Sequence, residues 1–175
     1  MGRHELDAVL VNPGSRVQIY QGLGTTLTAI EPPVWAGLMA TFLRQKGFSV
    51  SLVDAEAEEL TPDQVAQQIS ALRPRLVIVV VYGHQPSAST QNMTAAGAIC
   101  AAMKRRSPEQ LVVLVGGHVA ALPERTLQEE EADFVCGGEG PYTLQDLLEA
   151  LASSQTPEYH RVRGLWYRDH AGTIQ

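Results

Sequence analysis

The run Leu76-Val77-Ile78-Val79-Val80-Val81 decides the fold. It is apolar throughout and mostly β-branched, with no polar alternation, so a strand formed there is buried on both faces. Strands of that kind belong to a parallel sheet covered by helices on both sides. Leu111-Val112-Val113-Leu114-Val115 repeats the pattern, and Ala8–Val11, Val50–Val53 and the shorter Phe134–Cys136 are further apolar runs of strand length.

Helical segments lie between these runs. Val34, Leu38, Met39, Phe42 and Leu43 recur at helical spacing, with Pro33 near the start and Gly47 as a stop. Thr61-Pro62-Asp63-Gln64 reads as a capping box with proline at the first helical position. Val65, Ile69 and Leu72 follow on one face, and Pro74 acts as a breaker. Residues 87–106 end in Lys104-Arg105-Arg106, which suits a helix C-terminus, and segments 123–131 and 142–151 complete the series. This alternation predicts an α/β fold, a Rossmann-like doubly wound sheet of five parallel strands in the flavodoxin-like order 2-1-3-4-5.

Beyond Leu151 the pattern changes. Ser153-Ser154-Gln155-Thr156-Pro157 is a linker by composition. Val162 to Arg168 reads as a strand, Asp169-His170-Ala171-Gly172 as its turn, and Thr173-Ile174-Gln175 as a return strand cut short. A hairpin of about one arm is poor independent structure. The expected organisation is therefore a Rossmann-like domain over residues 1–152. Residues 153–175 are expected to form a linker and a truncated β-hairpin stub leading toward a downstream domain.

At 175 residues the chain has the size of one domain, and its 45% hydrophobic and 18% charged residues exclude a disordered chain. Thirteen Lys and Arg against nineteen Asp and Glu give a net charge of −6. That balance lacks the basic footprint of a nucleic-acid binder or an anionic-membrane binder. Cys100 and Cys136 stand far apart, which excludes a disulfide scaffold, a four-cysteine zinc site or an iron–sulfur cluster held by this chain alone. No apolar run reaches the length of a signal peptide core or a membrane span, so a soluble, cytoplasmic protein is expected.

Ligands of doubly wound sheets bind outside the carboxyl ends of the strands. Those ends read Asn12-Pro13-Gly14-Ser15, Asp54, Tyr82-Gly83-His84-Gln85-Pro86-Ser87, Gly116-Gly117-His118 and Gly137-Gly138-Glu139-Gly140. A phospho-receiver would need acidic residues where Asn12 and Tyr82 stand. Gly22-Leu23-Gly24 lies too far after the first strand for a dinucleotide fingerprint, and neither a P-loop nor a GxSxG elbow is present. A flavodoxin-type phosphate loop would want more hydroxyls than Ser15 alone. Glycine lets a backbone approach a ligand closely, and three neighbouring strand ends closed by glycines point to something large laid across the sheet edge. Tight strand-to-helix turns would use the same residues. His84 and His118 end neighbouring strands; they read as turn histidines, as cofactor contacts or, with Glu139, as a three-ligand metal site. Cys100 and Cys136 read as core, and Trp35 and Trp166 as packing anchors. Glu56, Glu58, Glu59 and Glu129-Glu130-Glu131 read as solvated faces.

Gly116-Gly117-His118-Val119, Leu122-Pro123-Glu124, Asp133-Phe134-Val135, Gly138-Glu139-Gly140 and Thr143-Leu144 together resemble the cobalamin-binding domain of cobalamin-dependent radical S-adenosylmethionine enzymes. Gly164-Leu165-Trp166-Tyr167-Arg168 is similar to the segment that leads into their radical domain. Pro141 departs from the family's usual second glutamate, and no CxxxCxxC is present in this chain. Cobalamin is a flat corrin ring with a nucleotide tail. The resemblance implies that Gly116 and Gly117 leave room for the tail, with His118 and Val119 beside them. It implies that Ser87, Ser89 and Thr90 offer hydroxyls, and that Tyr82, Gly83 and His84 border the channel. Gly138, Glu139 and Gly140 would flank its far side, and Asn12, Pro13 and Gly14 would lie beneath the ring. The chain has no DxHxxG, so the implied form has its own base detached and receives no lower cobalt ligand from that histidine. A 4Fe–4S cluster and S-adenosylmethionine would belong to a partner radical domain in the same full-length protein, usually a methyltransferase. No catalytic residue is expected in this chain. The alternatives are a small-molecule or nucleotide-binding Rossmann-like enzyme and a protein-interaction module.

Overall fold

A computed structural model describes residues 4–14, 29–83, 86–153 and 156–175. Its strands are β1 (Leu6–Asn12), β2 (Val50–Asp54), β3 (Pro74–Val80), β4 (Leu111–Val115), β5 (Phe134–Cys136) and β6 (Leu165–Tyr167). Its helices are α1 (Val34–Gln45), α2 (Pro62–Leu72), α3 (Pro86–Arg106), α4 (Gly117–Ala121), α5 (Pro123–Glu129) and α6 (Pro141–Ser153), with a 3-10 turn at Tyr159–Arg161.

The sheet order is β2-β1-β3-β4-β5-β6. The first five strands are parallel, in the order expected from the sequence, with Val9 opposite Val77 and Val77 opposite Val112. Strand side chains alternate between two cores. Val9, Val11, Val77 and Val79 pack with Val65, Ile69, Ile99, Met103 and Leu127 on one face. Ala8, Leu10, Leu76 and Ile78 pack with Met39, Leu43, Leu144, Leu147 and Leu148 on the other. Two apolar faces per strand are the physical reason for the unbroken apolar runs.

The C-terminal hairpin departs from expectation. Leu165–Tyr167 is no stub beside the sheet; it pairs antiparallel with β5 as a sixth strand, Leu165 opposite Cys136 and Tyr167 opposite Phe134. Otherwise the outer backbone groups of β5 would lack sheet partners. The returning residues add one bridge, between Arg168 and Ile174. A second departure lies between β4 and β5, where two short helices replace the single one expected. Pro123 cannot supply the N–H that would continue α4, but it suits the first turn of α5.

The capping box of α2 forms as read: Gln64 N donates to Thr61 Oγ1 at 3.3 Å, and Gln64 Oε1 accepts from Thr61 N at 2.8 Å. Lys104 does more than complement the end of α3. Its Nζ donates to the Pro108 and Gln110 carbonyls and to both carboxylate oxygens of Asp133, at 2.7–3.2 Å. Asp133 Oδ2 also accepts from Val112 N at 2.7 Å, so this cluster ties α3 to β4 and to the approach to β5. Replacing one partner leaves the others unmatched in a largely buried setting. Asp133→Ala is therefore expected to cost about 2–4 kcal/mol, measured by urea unfolding.

Glu130 corrects another expectation. Its carboxylate packs over Gly97 of α3, where any side chain would collide with it, so it is half-buried and no solvated face residue. Burial, with the neighbouring Glu129 adding to it, raises its carboxyl above the ordinary range.

Candidate functional site

The ends of β1, β3, β4 and β5 stand in a row along one edge of the sheet. At β1, Asn12 is tied sideways to β2: its Nδ2 donates to Asp54 Oδ1 at 2.8 Å, and its carbonyl accepts from Ala55 N at 3.0 Å. Pro13 is buried, and a Cβ on Gly14 would stand 3.0 Å from the Ala55 carbonyl oxygen. This corner is close-packed against the start of the β2–α2 connection.

At β3, the half-buried Tyr82 stacks on Trp35 of α1, with ring centroids 4.7 Å apart and 24° between planes. Its hydroxyl donates to the Glu139 carbonyl at 3.2 Å, a bond that reaches from the end of β3 past β4 to the loop after β5. Burial, with Cys136 and Glu139 adding to it, raises the phenol above its usual range and keeps it a donor at neutral pH. Asn92 Nδ2 donates to the Tyr82 carbonyl at 3.0 Å and fixes the turn from below. Gly83 sits against Ala88, where a side chain would collide. Gly22, Gly24, Ser15 and His84 lie outside the described residues.

The first turns of α3 join β3 to β4. Ser89 is 2% exposed; its Oγ donates to the Val81 carbonyl and accepts from His118 N at 2.9 Å. Its proton is thus committed to the fold, contrary to the expectation that it is offered to a ligand. Thr90 Oγ1 and His118 Nδ1 lie 3.0 Å apart, which orients the imidazole. Ser87 is exposed, and Val119 is fully buried in the core.

The glycines separate into two groups. A Cβ on Gly116 would collide with the Val81 carbonyl, and one on Gly140, at φ +99°, would stand 2.5 Å from Val115 Cγ2. The packing of the fold alone accounts for both. Gly117 and Gly138 are different. They are exposed, neither has the positive φ that demands glycine, and a Cβ would meet only Ser89 at 3.8 Å in the first case and nothing in the second. Among the described residues, nothing requires glycine at these two positions. Both leave open surface at the ends of neighbouring strands, where backbone is accessible.

Trp35 stands beside Tyr82 at this edge, outside the residues that the sequence assigned to the site. It reads as a packing anchor, yet it is 45% exposed and its ring stacks on Tyr82. Ile30, Val34 and Leu38 are exposed around it, a signal visible only once the buried face of α1 is known. Trp166, by contrast, packs against the α2–α3 core as an anchor. Among the described residues, no three His, Cys, Asp or Glu side chains converge as metal ligands. Both thiols are buried: burial pushes Cys136 up to about 12, and burial with Glu130 and Asp133 raises Cys100 further. Neither is expected to react with iodoacetamide at pH 8 until the protein unfolds. Peptide mass mapping after a timed pulse checks this, and prompt native labelling of Cys136 would put its sulfur at the site surface.

A sheet with five parallel strands, covered by helices on both faces, defines a Rossmann-like domain, and in such sheets ligands bind outside the carboxyl ends of the strands. The chain belongs to the B12 binding domain family, whose model matches residues 20–148, and cobalamin is the cofactor of that family. An uncharacterized methyltransferase of Pyrococcus horikoshii is 29% identical over 163 residues, covering 93% of this chain and 32% of that protein. The anaerobic magnesium-protoporphyrin IX monomethyl ester cyclase of Rubrivivax gelatinosus is 28% identical over 158 residues, covering 89% of this chain and 27% of that protein. The chain thus spans about a third or less of these relatives. Among solved structures, the cobalamin-dependent S-adenosylmethionine radical enzyme OxsB with aqua-cobalamin bound superposes at TM-score 0.70 and 18% identity, covering 98% of this chain and 22% of that one. The radical S-adenosylmethionine methyltransferase TsrM of Kitasatospora setae, with cobalamin and its iron–sulfur cluster bound, gives TM-score 0.71 at 19% identity, covering 94% and 27%. At such identities the likeness is one of fold. Among the described residues, no helix is long and apolar enough to cross a membrane.

Proposed function

We propose that this chain is the cofactor domain of a cobalamin-dependent radical S-adenosylmethionine enzyme, most simply a methyltransferase. In this reading it holds cobalamin at the carboxyl ends of β1, β3, β4 and β5. The observation that carries the reading is the pair of unconstrained glycines, Gly117 and Gly138, on adjacent strand ends. They would admit the nucleotide tail against bare backbone. Trp35 and Tyr82 would wall the same channel, with Thr90 and His118 supplying polar contacts and Asn12, Pro13 and Gly14 lying under the ring. Family membership and the two relatives support the cofactor and the enzyme class.

The sequence contains no DxHxxG motif, which supports binding without that histidine as lower cobalt ligand. When bound, cobalamin supplies a cobalt centre able to carry a methyl group. The residues of this chain bind and orient it, and the chain's two thiols and the Ser89 hydroxyl are not free to act as nucleophiles there. Its cysteine sulfurs are buried, and its buried serine is bonded on both sides. A radical domain in the same full-length protein would bind the 4Fe–4S cluster and S-adenosylmethionine. Residues 1–175 alone are then expected to transfer no methyl group.

Purified chain mixed with hydroxocobalamin should retain a red chromophore through gel filtration. Colourless protein with no calorimetric heat would overturn the reading.

A further inference from the structure

The connection from Gly137 to Thr143, a short loop and the first turn of α6, carries Gly138 and Glu139, and it is held from outside the segment that the family model matches. Gly137 N donates to the Gly164 carbonyl at 2.7 Å. Trp166 lays its indole edge on Gly137 so closely that a Cβ there would stand 2.6 Å from Nε1. At the other end of the loop, Thr143 Oγ1 donates to the Arg163 carbonyl at 2.8 Å. Between these ties, Cys136 pairs with Leu165 in the sheet. Residues 163–166 therefore grip both ends of the loop while Gly138 and Glu139 remain exposed. Tyr82, through its bond to the Glu139 carbonyl, holds the middle from the opposite side.

We propose that residues 163–166 complete the cofactor site: Trp166 and the Arg163–Gly164 backbone are positioning residues that fix the Gly138–Glu139 loop. The unit competent to hold the cofactor then runs through β6 and does not stop near residue 152. This deepens the cobalamin reading and rests on it. A loop gripped at both ends presents its backbone to a ligand without first having to be ordered, and ordering a loop on binding weakens affinity.

The test uses Trp166→Ala, Trp166→Phe and Thr143→Val in the 175-residue chain. Three readouts are compared: hydroxocobalamin affinity, thermal midpoint, and hydrogen exchange of the amides at 138–140. Trp166→Ala should weaken binding by on the order of tenfold in protein that is still folded and should speed exchange at 138–140. Trp166→Phe, which keeps a flat ring over Gly137, should recover most of both. Thr143→Val, a near-isosteric change at a half-buried position, should speed exchange at the loop and weaken binding in the same direction. Unchanged affinity and unchanged loop exchange in folded Trp166→Ala would overturn the proposal. So would a lowered midpoint with affinity preserved, the mark of a purely structural strand. If the unaltered chain itself failed to bind hydroxocobalamin, the cobalamin reading would fall. The exchange data would then decide the coupling alone, faster exchange at 138–140 upholding it and unchanged exchange refuting it.

Discussion

Gly117→Val should lose cobalamin affinity while leaving the fold intact. A Cβ at this position meets only the Ser89 side chain, at 3.8 Å, so the branched residue finds space in the protein alone. The stability change should stay within about 0.5 kcal/mol, as for an exposed surface substitution. The same space is where the ligand would lie. Intrusion there should cost on the order of 1–3 kcal/mol of binding by overpacking, or roughly tenfold to hundredfold in affinity. Gly117→Ala should lose less, because less volume is added. Thermal midpoint and calorimetric affinity, measured on both variants, check the pair. Full affinity in folded Gly117→Val would remove this residue from the site.

The adjacent position should behave in the opposite way. Gly116→Ala places a methyl against the Val81 carbonyl, at a point where β3 and β4 are bonded through Val81 N and the Val115 carbonyl at 2.6 Å. Ser89 clamps the same carbonyl from α3. None of these groups can retreat without breaking a buried hydrogen bond. A loss of at least about 3 kcal/mol of stability is expected, seen as a large fall in the urea midpoint. Affinity per folded molecule should change far less than for Gly117→Val. If the two variants behaved alike, the separation between a packing glycine and a site glycine would be wrong.

That separation marks the limit of what the sequence carries. The central strands were legible because burial on two faces leaves a local signature, an apolar run without alternation from Leu76 onward. The α2 cap was legible because Thr61 and Gln64 act within one turn. Gly116 and Gly117 are the same letter side by side, and they differ only in what a strand thirty residues away brings near them. Ser89 was placed at the right edge, but the use of its hydroxyl depends on the Val81 carbonyl and the His118 amide meeting there. Trp35 reads as a packing anchor, and its exposure depends on where α1 sits relative to Tyr82. The sixth strand was read as a strand but without its partner, since Leu165-Trp166-Tyr167 contains nothing that names β5. Nearest-neighbour chemistry was readable, and distant encounters were not.

The antiparallel sixth strand also bears on how this protein behaves when concentrated. An open sheet ends in unpaired amides and carbonyls that can recruit a second molecule, and β5 is apolar and fully buried on its side chains. Covering it with β6 moves the free margin outward to a strand of three residues. That margin is itself partly occupied, because Tyr167 exchanges backbone bonds with Gln175 at 2.9 and 3.3 Å. Little continuous template is left on that flank for intermolecular pairing. Shortening the chain before β6 should therefore show first as turbidity and thioflavin-positive assembly on standing.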